Sequence, residues 1–511
     1  ADDLLLYEEA DEAFWLGLTT SKDRAFHFLL CQTADTTEVW ALASDAPRAP
    51  LIPIASRATK HVYAPEHHDG EFLILTNEDA PNFKLMAAPV ANPARANWRE
   101  VIPHDPAVLL YVVEPFARHL VIYGREKGFS QIWVRDMATG ATTPVPFAEE
   151  TYTAGLTSKE TGGGNPEFAA ARVRVTYSSL VTPESVYEID LESGQSSLLA
   201  QMEILGGHDP GRYVTERLFA TAPDGTQIPI SLVYLRDAPP DLPPGPRPLR
   251  LDGYGGYAQS QDPTFVPSRL SLIDRGISYA IAHVRGGFEL GGHWWEEGRL
   301  LNKKNCFSDF IACAEHLIAW GHTAPGRLAI YGSSNGGLLM GVVANQRPDL
   351  FRAVVAEVPL VDVPLFLLRT GAIGLSNQSE LGDPGDAEVL EYQLSYSPYQ
   401  NVVPQVYPAI FATGGFNDTN IPYWMPAKWM AKLRDSNSGE HPLLLRLLAG
   451  GHLGETSYTE FERETALIYA FVINALGLAG PPLRASDAAA PPSAVNRPDA
   501  ATQDAAAIPA R

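Results

Sequence analysis

The stretch RLAIYGSSNGGLLMG, residues 327–341, joins two apolar runs through a short turn of glycines, serines and an asparagine. The first run has the length and composition of a buried strand. The second continues to position 347 with the composition of a helix that ends before Pro348. The turn over 332–336 has the pattern G-x-S-x-G, centred on Ser334. Between a strand and a helix this pattern predicts a nucleophile elbow, in which glycines leave room for a strained serine whose hydroxyl projects above the sheet.

Strand and helix patterns alternate on both sides of this turn. A helix is predicted over 308–321, with Ser308 as its N-cap and Gly321 at its C-terminal end. Such alternation is typical of a doubly wound, mostly parallel sheet with helices on both faces. The further predicted strands are SYAIAHV (278–284), RAVVAEV (352–358), AIFATG (409–414) and LLLRLL (443–448).

The elbow needs a base, because a serine hydroxyl is a poor nucleophile until a neighbouring group accepts its proton. In a sheet of this kind the acid and then the histidine follow the serine along the chain. Asp418 follows the predicted strand 409–414, and His452 follows the strand 443–448 directly after two glycines. Order and position therefore predict a triad of Ser334, Asp418 and His452, although Asp418 by itself also fits a turn or a helix cap.

An acyl-transfer site also needs hydrogen-bond donors for the oxyanion of its intermediate. In an elbow the backbone N–H after the nucleophile points to that position, and here it belongs to Asn335. A second donor is expected from the loop after an earlier strand, and LRLDGYGGY (249–257) offers Tyr254 and Tyr257. The residues alone leave the choice between these tyrosines open, and either also fits as a packed aromatic.

The N-terminal part of the chain has a different pattern, with four hairpin-like segments that each pair two β-rich runs. They start at Arg24, Glu71, Arg118 and Arg172, which are 47, 47 and 54 residues apart. This period predicts propeller blades, with a β-sandwich as the alternative. We therefore expect a partial β-propeller of about four blades over 1–208, a catalytic domain over 209–480 and a disordered tail over 481–511.

Composition excludes some partners. The formal charge of −22 argues against nucleic acid or an anionic membrane, and no apolar run reaches the length of a membrane span. Three scattered cysteines predict neither a disulfide framework nor a metal site, and we expect no cofactor. The lack of a signal pattern predicts a cytoplasmic protein. A periplasmic location stays open because the sequence does not start with Met and its N-terminus can be processed or truncated.

Five segments have patterns that together are specific to one family. They are GYGGY, HVRGGFELGGHWWEEGRLLNKKNCFSDF, GSSNGGLLMGVVANQRPDLF, YSPYQNV and YWMPAKWMAKLR. These segments resemble the prolyl oligopeptidase family of serine peptidases, and most closely its oligopeptidase B branch. The resemblance extends from residue 1 to about 478.

The resemblance implies an α/β-hydrolase catalytic domain capped by a seven-bladed propeller, and hydrolysis of short peptides through an acyl-enzyme. It implies that Ser334, Asp418 and His452 form the triad and that Tyr254 and the Asn335 N–H form the oxyanion hole. The similarity starts partway into the family's propeller, so we expect an N-terminally truncated chain. Either the chain is a fragment or its cap is open, and an open cap would put the family's selection of substrates by size in doubt.

The resemblance also bears on specificity, because the oligopeptidase B branch binds Arg or Lys of its substrates through acidic side chains. Those acidic positions fall on Asn377 and Ser379, and only Glu380 keeps a carboxylate nearby, which predicts that strong basic preference is lost. Asp262 matches an acidic position of the neighbouring subsite. Arg285 follows a predicted strand and is expected either to order the active-site loops or to form a structural salt bridge.

Two other functions fit parts of the sequence. An esterase would use the same triad, although the β-repeat half and the family segments speak against it. A non-catalytic propeller scaffold would tolerate missing blades, although the intact triad argues against loss of activity by mutation.

Overall fold

A computed structural model describes residues 5–11, 14–33, 35–157, 164–240, 242–454 and 457–478 of the chain. The predicted disordered tail, 481–511, lies outside these residues. The described residues form four small antiparallel sheets followed by one large mixed sheet with helices on both faces.

The four small sheets each contain four strands, and the strands pair in chain order. The first sheet contains β1 (Trp15–Thr20), β2 (Phe26–Gln32), β3 (Thr37–Ala43) and β4 (Ile52–Ala55), and the second contains β5 (Tyr63–His68), β6 (Glu71–Thr76), β7 (Lys84–Pro89) and β8 (Arg99–Ile102). The third contains β9 (Val108–Pro115), β10 (His119–Glu126), β11 (Phe129–Asp136) and β12 (Thr142–Pro144), and the fourth contains β13 (Tyr152–Leu156), β14 (Arg172–Ser179), β15 (Ser185–Asp190) and β16 (Ser196–Gln201).

Consecutive small sheets pack face to face, as propeller blades do. In β6, Phe72 and Ile74 pack against the first sheet, whereas Leu73 and Leu75 pack against the third. This period of two places alternate side chains on opposite faces, so the second blade buries both of its faces. The predicted hairpins correspond to the two middle strands of each blade, and the propeller, rather than the β-sandwich, is confirmed.

The large sheet has eight strands in the order β17-β18-β20-β19-β21-β22-β23-β24. Its strands are β17 (Tyr213–Thr221), β18 (Gln227–Leu235), β19 (Leu249–Asp252), β20 (Ser278–Ala282), β21 (Leu328–Ser333), β22 (Ala353–Glu357), β23 (Ala409–Gly415) and β24 (Leu443–Leu448). The pairs β17/β18 and β18/β20 are antiparallel and the remaining pairs are parallel. In the sheet, β19 lies between β20 and β21. The chain passes from β19 to β20 on one side and then crosses over to β21 on the other side. Ligand sites form outside the carboxyl ends of strands at such a switch point.

Helices cover both faces of this sheet, as predicted. They are α1 (Leu270–Ile273), α2 (Gly292–Glu296), α3 (Lys304–Ala319), α4 (Asn335–Gln346), α5 (Val363–Arg369), α6 (Ala372–Leu381), α7 (Ala387–Leu394), α8 (Trp424–Ser436) and α9 (Tyr458–Ala475). In β22, Val354 faces the core that contains α3, α4 and α8, whereas Val355 faces the core formed with α1 and α9.

One predicted helix boundary is wrong. Ser308 is not an N-cap, because α3 begins at Lys304, one turn earlier. Cys306 and Phe307 are fully buried, and their packing extends the helix toward its N-terminus. The Ser308 hydroxyl instead donates to the Asn305 carbonyl within the helix, at 2.9 Å. Gly321, with a φ of 77°, follows the end of α3 as predicted.

The blades contact the loops of the large sheet directly. Arg125 of β10 binds Asp262 at 2.7 Å, and the Gly292 N–H at the start of α2 donates to Asn82 Oδ1 at 3.0 Å. Within the described ranges, none of the helices combines the length and the apolar character that a bilayer crossing requires. The domain boundaries 208/209 and 480/481 remain a prediction.

Candidate active site

Ser334 occupies a strained turn between β21 and α4. Its φ of 57° lies in the left-handed region, which side-chain-bearing residues seldom adopt. A Cβ atom on Gly332 would lie 2.3 Å from the Gly336 carbonyl oxygen, and one on Gly336 would lie 2.7 Å from that of Gly253. The turn therefore requires both glycines, as expected for a nucleophile elbow. The Ser334 N–H donates to the Glu357 carbonyl at 2.8 Å, which fixes the turn against β22.

The structure brings the three predicted triad residues together. Ser334 Oγ lies 3.0 Å from His452 Nε2, and His452 Nδ1 lies 2.8 Å from Asp418 Oδ2. Asp418 Oδ1 accepts the backbone N–H groups of Asn420 and Ile421, both at 2.8 Å. This orientation leaves Oδ2 for the imidazole. With the ring proton on Nδ1, Nε2 is an acceptor for the serine hydroxyl.

Both predicted oxyanion donors lie beside Ser334. Asn335 begins α4, where backbone N–H groups have no acceptor within the helix. The Asn335 side chain donates to the Tyr254 carbonyl at 2.7 Å and thereby fixes the loop after β19. Burial raises the pKa of Tyr254, and a hydrogen bond with Ser334 partly offsets this, so the phenol keeps its proton at neutral pH. Tyr257 donates instead to Asn377 Oδ1 at 2.5 Å, which favours Tyr254 as the second donor.

A cavity of about 610 Å³ opens beside Ser334. Amide, aromatic and aliphatic side chains dominate its wall, and they include Gln259, Gln261, Asn377, Asn420, Tyr254, Tyr257, Phe366, Ile373, Leu360 and Ile421. Among the described lining residues, the only carboxylate belongs to Asp252. That carboxylate already accepts two hydrogen bonds from Arg250, at 2.7 and 2.9 Å. The cavity thus offers a substrate no carboxylate that is free of a cationic partner, as far as the described residues show.

The predicted substrate-binding residues divide into one that lines the cavity and four that do not. Asn377 lines it, held by its bond to Tyr257. Ser379 turns away, because its hydroxyl donates to the Ser376 carbonyl at 3.2 Å. Glu380 is 2% exposed, and its two oxygens accept from Lys303 and Trp295 at 2.9 and 2.8 Å. These two predictions are corrected by burial and by local bonding.

Asp262 and Arg285 also lie outside the wall of the cavity. Asp262 is neutralised by Arg125 of the third blade, so it joins the two halves of the chain. Arg285 is 2% exposed and binds Asp309 through two nitrogens, at 2.9 and 2.7 Å, and Asp224 at 2.7 Å. Of the two alternatives for Arg285, the structural salt bridge matches these contacts.

Sequence reasoning missed several residues of this region. Gln261, Phe366 and Ile373 line the cavity, but nothing in their local pattern distinguishes them from loop or core residues. Lys303 was also missed, because a lysine next to Lys304 and between two asparagines in LLNKKNCF has the pattern of an ordinary exposed residue. In the part of the chain that the structure describes, no three His, Cys, Asp or Glu side chains are grouped so as to hold a metal ion.

The fold and this site define an α/β-hydrolase sheet with attached propeller blades. Comparison with known families is consistent with both parts. Residues 263–479 match the prolyl oligopeptidase family, and residues 1–202 match the N-terminal β-propeller domain of prolyl oligopeptidase.

Individual relatives are similar over most of the chain. Protease 2 of Moraxella lacunata is 37% identical over 93% of this chain and 67% of its own length. Dipeptidyl aminopeptidase BI of Pseudoxanthomonas mexicana is 36% identical over 94% of this chain and 65% of its own. The solved structure of oligopeptidase B from Leishmania major superimposes with a TM-score of 0.83 at 36% identity, over 93% of this chain and 67% of that one.

The chain belongs to the prolyl oligopeptidase family and is, by class, a serine oligopeptidase. It spans about two thirds of the length of these relatives. The resemblance found in the sequence is thereby confirmed at the level of the family.

Proposed function

We propose that this chain hydrolyses peptide bonds in short peptides through an acyl-enzyme formed on Ser334. The observation that carries the proposal is the pair of contacts that link Ser334 to His452 at 3.0 Å and His452 to Asp418 at 2.8 Å. Family membership supports the same reaction class.

In the proposed first step, Ser334 Oγ attacks the scissile carbonyl carbon while His452 Nε2 takes the hydroxyl proton. Asp418 holds the imidazole by its Nδ1–H and stabilises the positive charge that develops on the ring. The carbonyl oxygen becomes an oxyanion, for which the Asn335 N–H and the Tyr254 hydroxyl are the donors. The C–N bond then breaks, and the leaving amine takes the proton from His452. In the second step, water attacks the carbonyl carbon of the acyl-enzyme ester while His452 Nε2 takes its proton. The ester C–O bond then breaks, Ser334 Oγ takes the proton back, and the acid product leaves.

We further propose that the residue before the scissile bond is preferentially uncharged. A cationic side chain entering this cavity would lose its hydration, and the described wall offers amides and aromatic rings rather than an unpaired carboxylate. Asn377 lies where an acid would be expected for an Arg- or Lys-specific site. The carboxylate of Glu380 already forms an ion pair with Lys303. An amide or apolar side chain of moderate size suits this wall better.

Labelling with a fluorophosphonate probe tests the reaction class. Wild type should react covalently, and Ser334→Ala should not, because Ser334 carries the only hydroxyl that bonds to His452 Nε2 among the described residues. Equal labelling of both proteins, or none of either, would contradict the proposal. A library of peptides varied before the cleavage site then tests the preference, and strong selection of Arg or Lys would contradict it.

A further inference from the structure

Lys303 places an ammonium group in the protein interior. It directly precedes α3, and its side chain is 0% exposed. A cation at the N-terminal end of a helix lies in an unfavourable field, and its desolvation costs several kcal/mol unless partners compensate. The contacts of Lys303 therefore show what keeps this group in the fold.

The ammonium has two partners that lie far apart along the chain. Lys303 Nζ donates to the Gly255 carbonyl and to Glu380 Oε1, both at 2.9 Å. The other oxygen of Glu380 accepts the Trp295 indole N–H at 2.8 Å. The Glu380 carboxylate is therefore satisfied inside the protein and joins α6 to the start of α3.

The first partner belongs to the loop that carries an oxyanion donor. Gly255 follows Tyr254, whose own carbonyl accepts from Asn335 at 2.7 Å. Two successive carbonyls of this loop are thus held by side chains. Gly255 also has little space to move, because a Cβ atom there would lie 3.0 Å from Cys306 Cβ and from Val284 Cγ2.

The second partner belongs to the helix that lines the substrate cavity. Glu380 lies in α6, and the same helix contributes Ile373, Ser376 and Asn377 to the cavity wall. Tyr257 donates to Asn377 at 2.5 Å and forms a second link between loop and helix. The loop and α6 are therefore joined once beside the cavity and once in the interior.

We propose that Lys303 and Glu380 are positioning residues for the reaction, which hold the Gly255 carbonyl, directly after Tyr254, in place and fasten this loop to the helix that receives the substrate side chain. Neither residue touches the substrate. They act by keeping the Tyr254 hydroxyl at the place where the oxyanion forms, so their removal reduces stabilisation of the transition state more than substrate binding. The proposal rests on the proposed peptidase function.

Three variants test this role: Lys303→Met, Glu380→Gln and the double variant. With a chromogenic peptide substrate, Lys303→Met should lower kcat about 100-fold and change KM less than about threefold. It should also lower Tm, because Glu380 is left as a buried unpaired charge. In the double variant both charges are gone, so Tm should largely recover while kcat stays at least about 30-fold below wild type.

Lys22→Met is the matched control, since Lys22 also forms a poorly exposed ion pair, with Glu114 at 2.6 Å, but in the propeller. It should lower Tm and leave kcat within about twofold of wild type. A kcat that recovers together with Tm in the double variant would show a merely structural role and overturn the proposal. If Lys303→Met fails to fold, the double variant decides the test alone.

Amide hydrogen exchange supplies a readout that needs no turnover. The amides of 253–258 should exchange at least about tenfold faster in the double variant than in wild type, with no such change in Lys22→Met. Unchanged exchange in this segment would overturn the proposal. Absence of Ser334-dependent fluorophosphonate labelling in wild type would instead refute the proposed function, and exchange would still decide whether the pair holds the loop.

Discussion

Two poorly exposed lysines, one in each half of the chain, show how similar chemistry serves different ends. Lys22, in the turn between β1 and β2, binds Glu114 of the third blade at 2.6 Å and the Asn165 carbonyl before β14 at 2.5 Å. Lys303 binds a glutamate and a carbonyl in the same manner, but this carbonyl belongs to Gly255, in the loop that carries Tyr254 beside Ser334. The first lysine joins blades and the second joins parts of a site. From this comparison we expect the location of an ion pair, rather than its strength, to decide whether its loss affects stability alone or catalysis as well.

The largest expected effect is on kcat, and it comes from the triad residue Asp418 in the catalytic half of the chain. Asp418→Asn should lower kcat by about 10⁴-fold, because the amide no longer accepts from Nδ1–H and the imidazole loses its working tautomer. Tm should change little, since the side chain keeps its shape and Oδ1 can still accept the N–H groups of Asn420 and Ile421. Steady-state kinetics with a chromogenic peptide and a melting curve measure both. If kcat decreases by less than about tenfold, the orienting role of Asp418 is excluded.

The next effect belongs to the loop that Lys303 holds. Tyr254→Phe removes one donor to the oxyanion and should lower kcat by about 10²–10³-fold with KM nearly unchanged. Tyr257→Phe is the matched control, because its hydroxyl bonds to Asn377 and lies on the substrate side of the cavity. The control should change KM more than kcat. The reverse result would assign the oxyanion donor to Tyr257.

Loss of the propeller lysine, Lys22, should lower stability and leave activity unchanged. Lys22→Met leaves Glu114 without its cation, and we expect a loss of about 2–4 kcal/mol in the free energy of unfolding. The Lys22 ammonium also lies 3.9 Å from the centre of the Phe116 ring, which adds a cation–π contact to the loss. Thermal melting measures the loss. A proportional fall in kcat at a temperature where the variant is fully folded would break the comparison between the two lysines.

Most of the fold was predictable because its signals are local. The strands and hairpins follow from the alternation of apolar residues. The elbow follows from the glycines at 332 and 336, because a Cβ atom at either position would disrupt the turn. Asp418 and His452 were predictable from chain order, because the carboxyl ends of parallel strands meet at one edge. These features can be predicted from neighbouring residues in the sequence or from the order of the strands along the chain.

The cavity and its supports were not predictable, because they depend on packing between distant segments. Lys303 and Glu380 lie 77 positions apart, and nothing near either residue specifies the other. Glu380 was assigned to the substrate because the resemblance places it next to positions that are acidic in the oligopeptidase B branch. Asp262 was assigned likewise, but Arg125 comes from a different half of the chain. Whether a charge is free or paired is a tertiary property, and a single sequence does not reveal it.

The smallest expected effect sharpens the comparison within the propeller, at a carboxylate next to Lys22. Glu66 Oε2 accepts the Lys22 backbone N–H at 3.2 Å, and burial raises the pKa of Glu66 from 4.5 to about 7. The folded state thus binds this proton more tightly than the unfolded state does. Its stabilising contribution is full below pH 4.5 and is lost as the pH rises through 7.

Glu66→Gln imitates the protonated acid, so the variant should not lose stability at this position as the pH rises through 7. The free energy of unfolding of the variant, relative to wild type, should rise by about 1–3 kcal/mol between pH 5 and pH 8. Glu100→Gln, at an exposed position of β8 in the same blade, is the control and should show no such trend. Denaturant titrations at a series of pH values measure the difference. A difference that is constant with pH, or that grows as the pH falls, would contradict the raised pKa of Glu66. Glu66 would then be a second anion beside Lys22, in addition to Glu114.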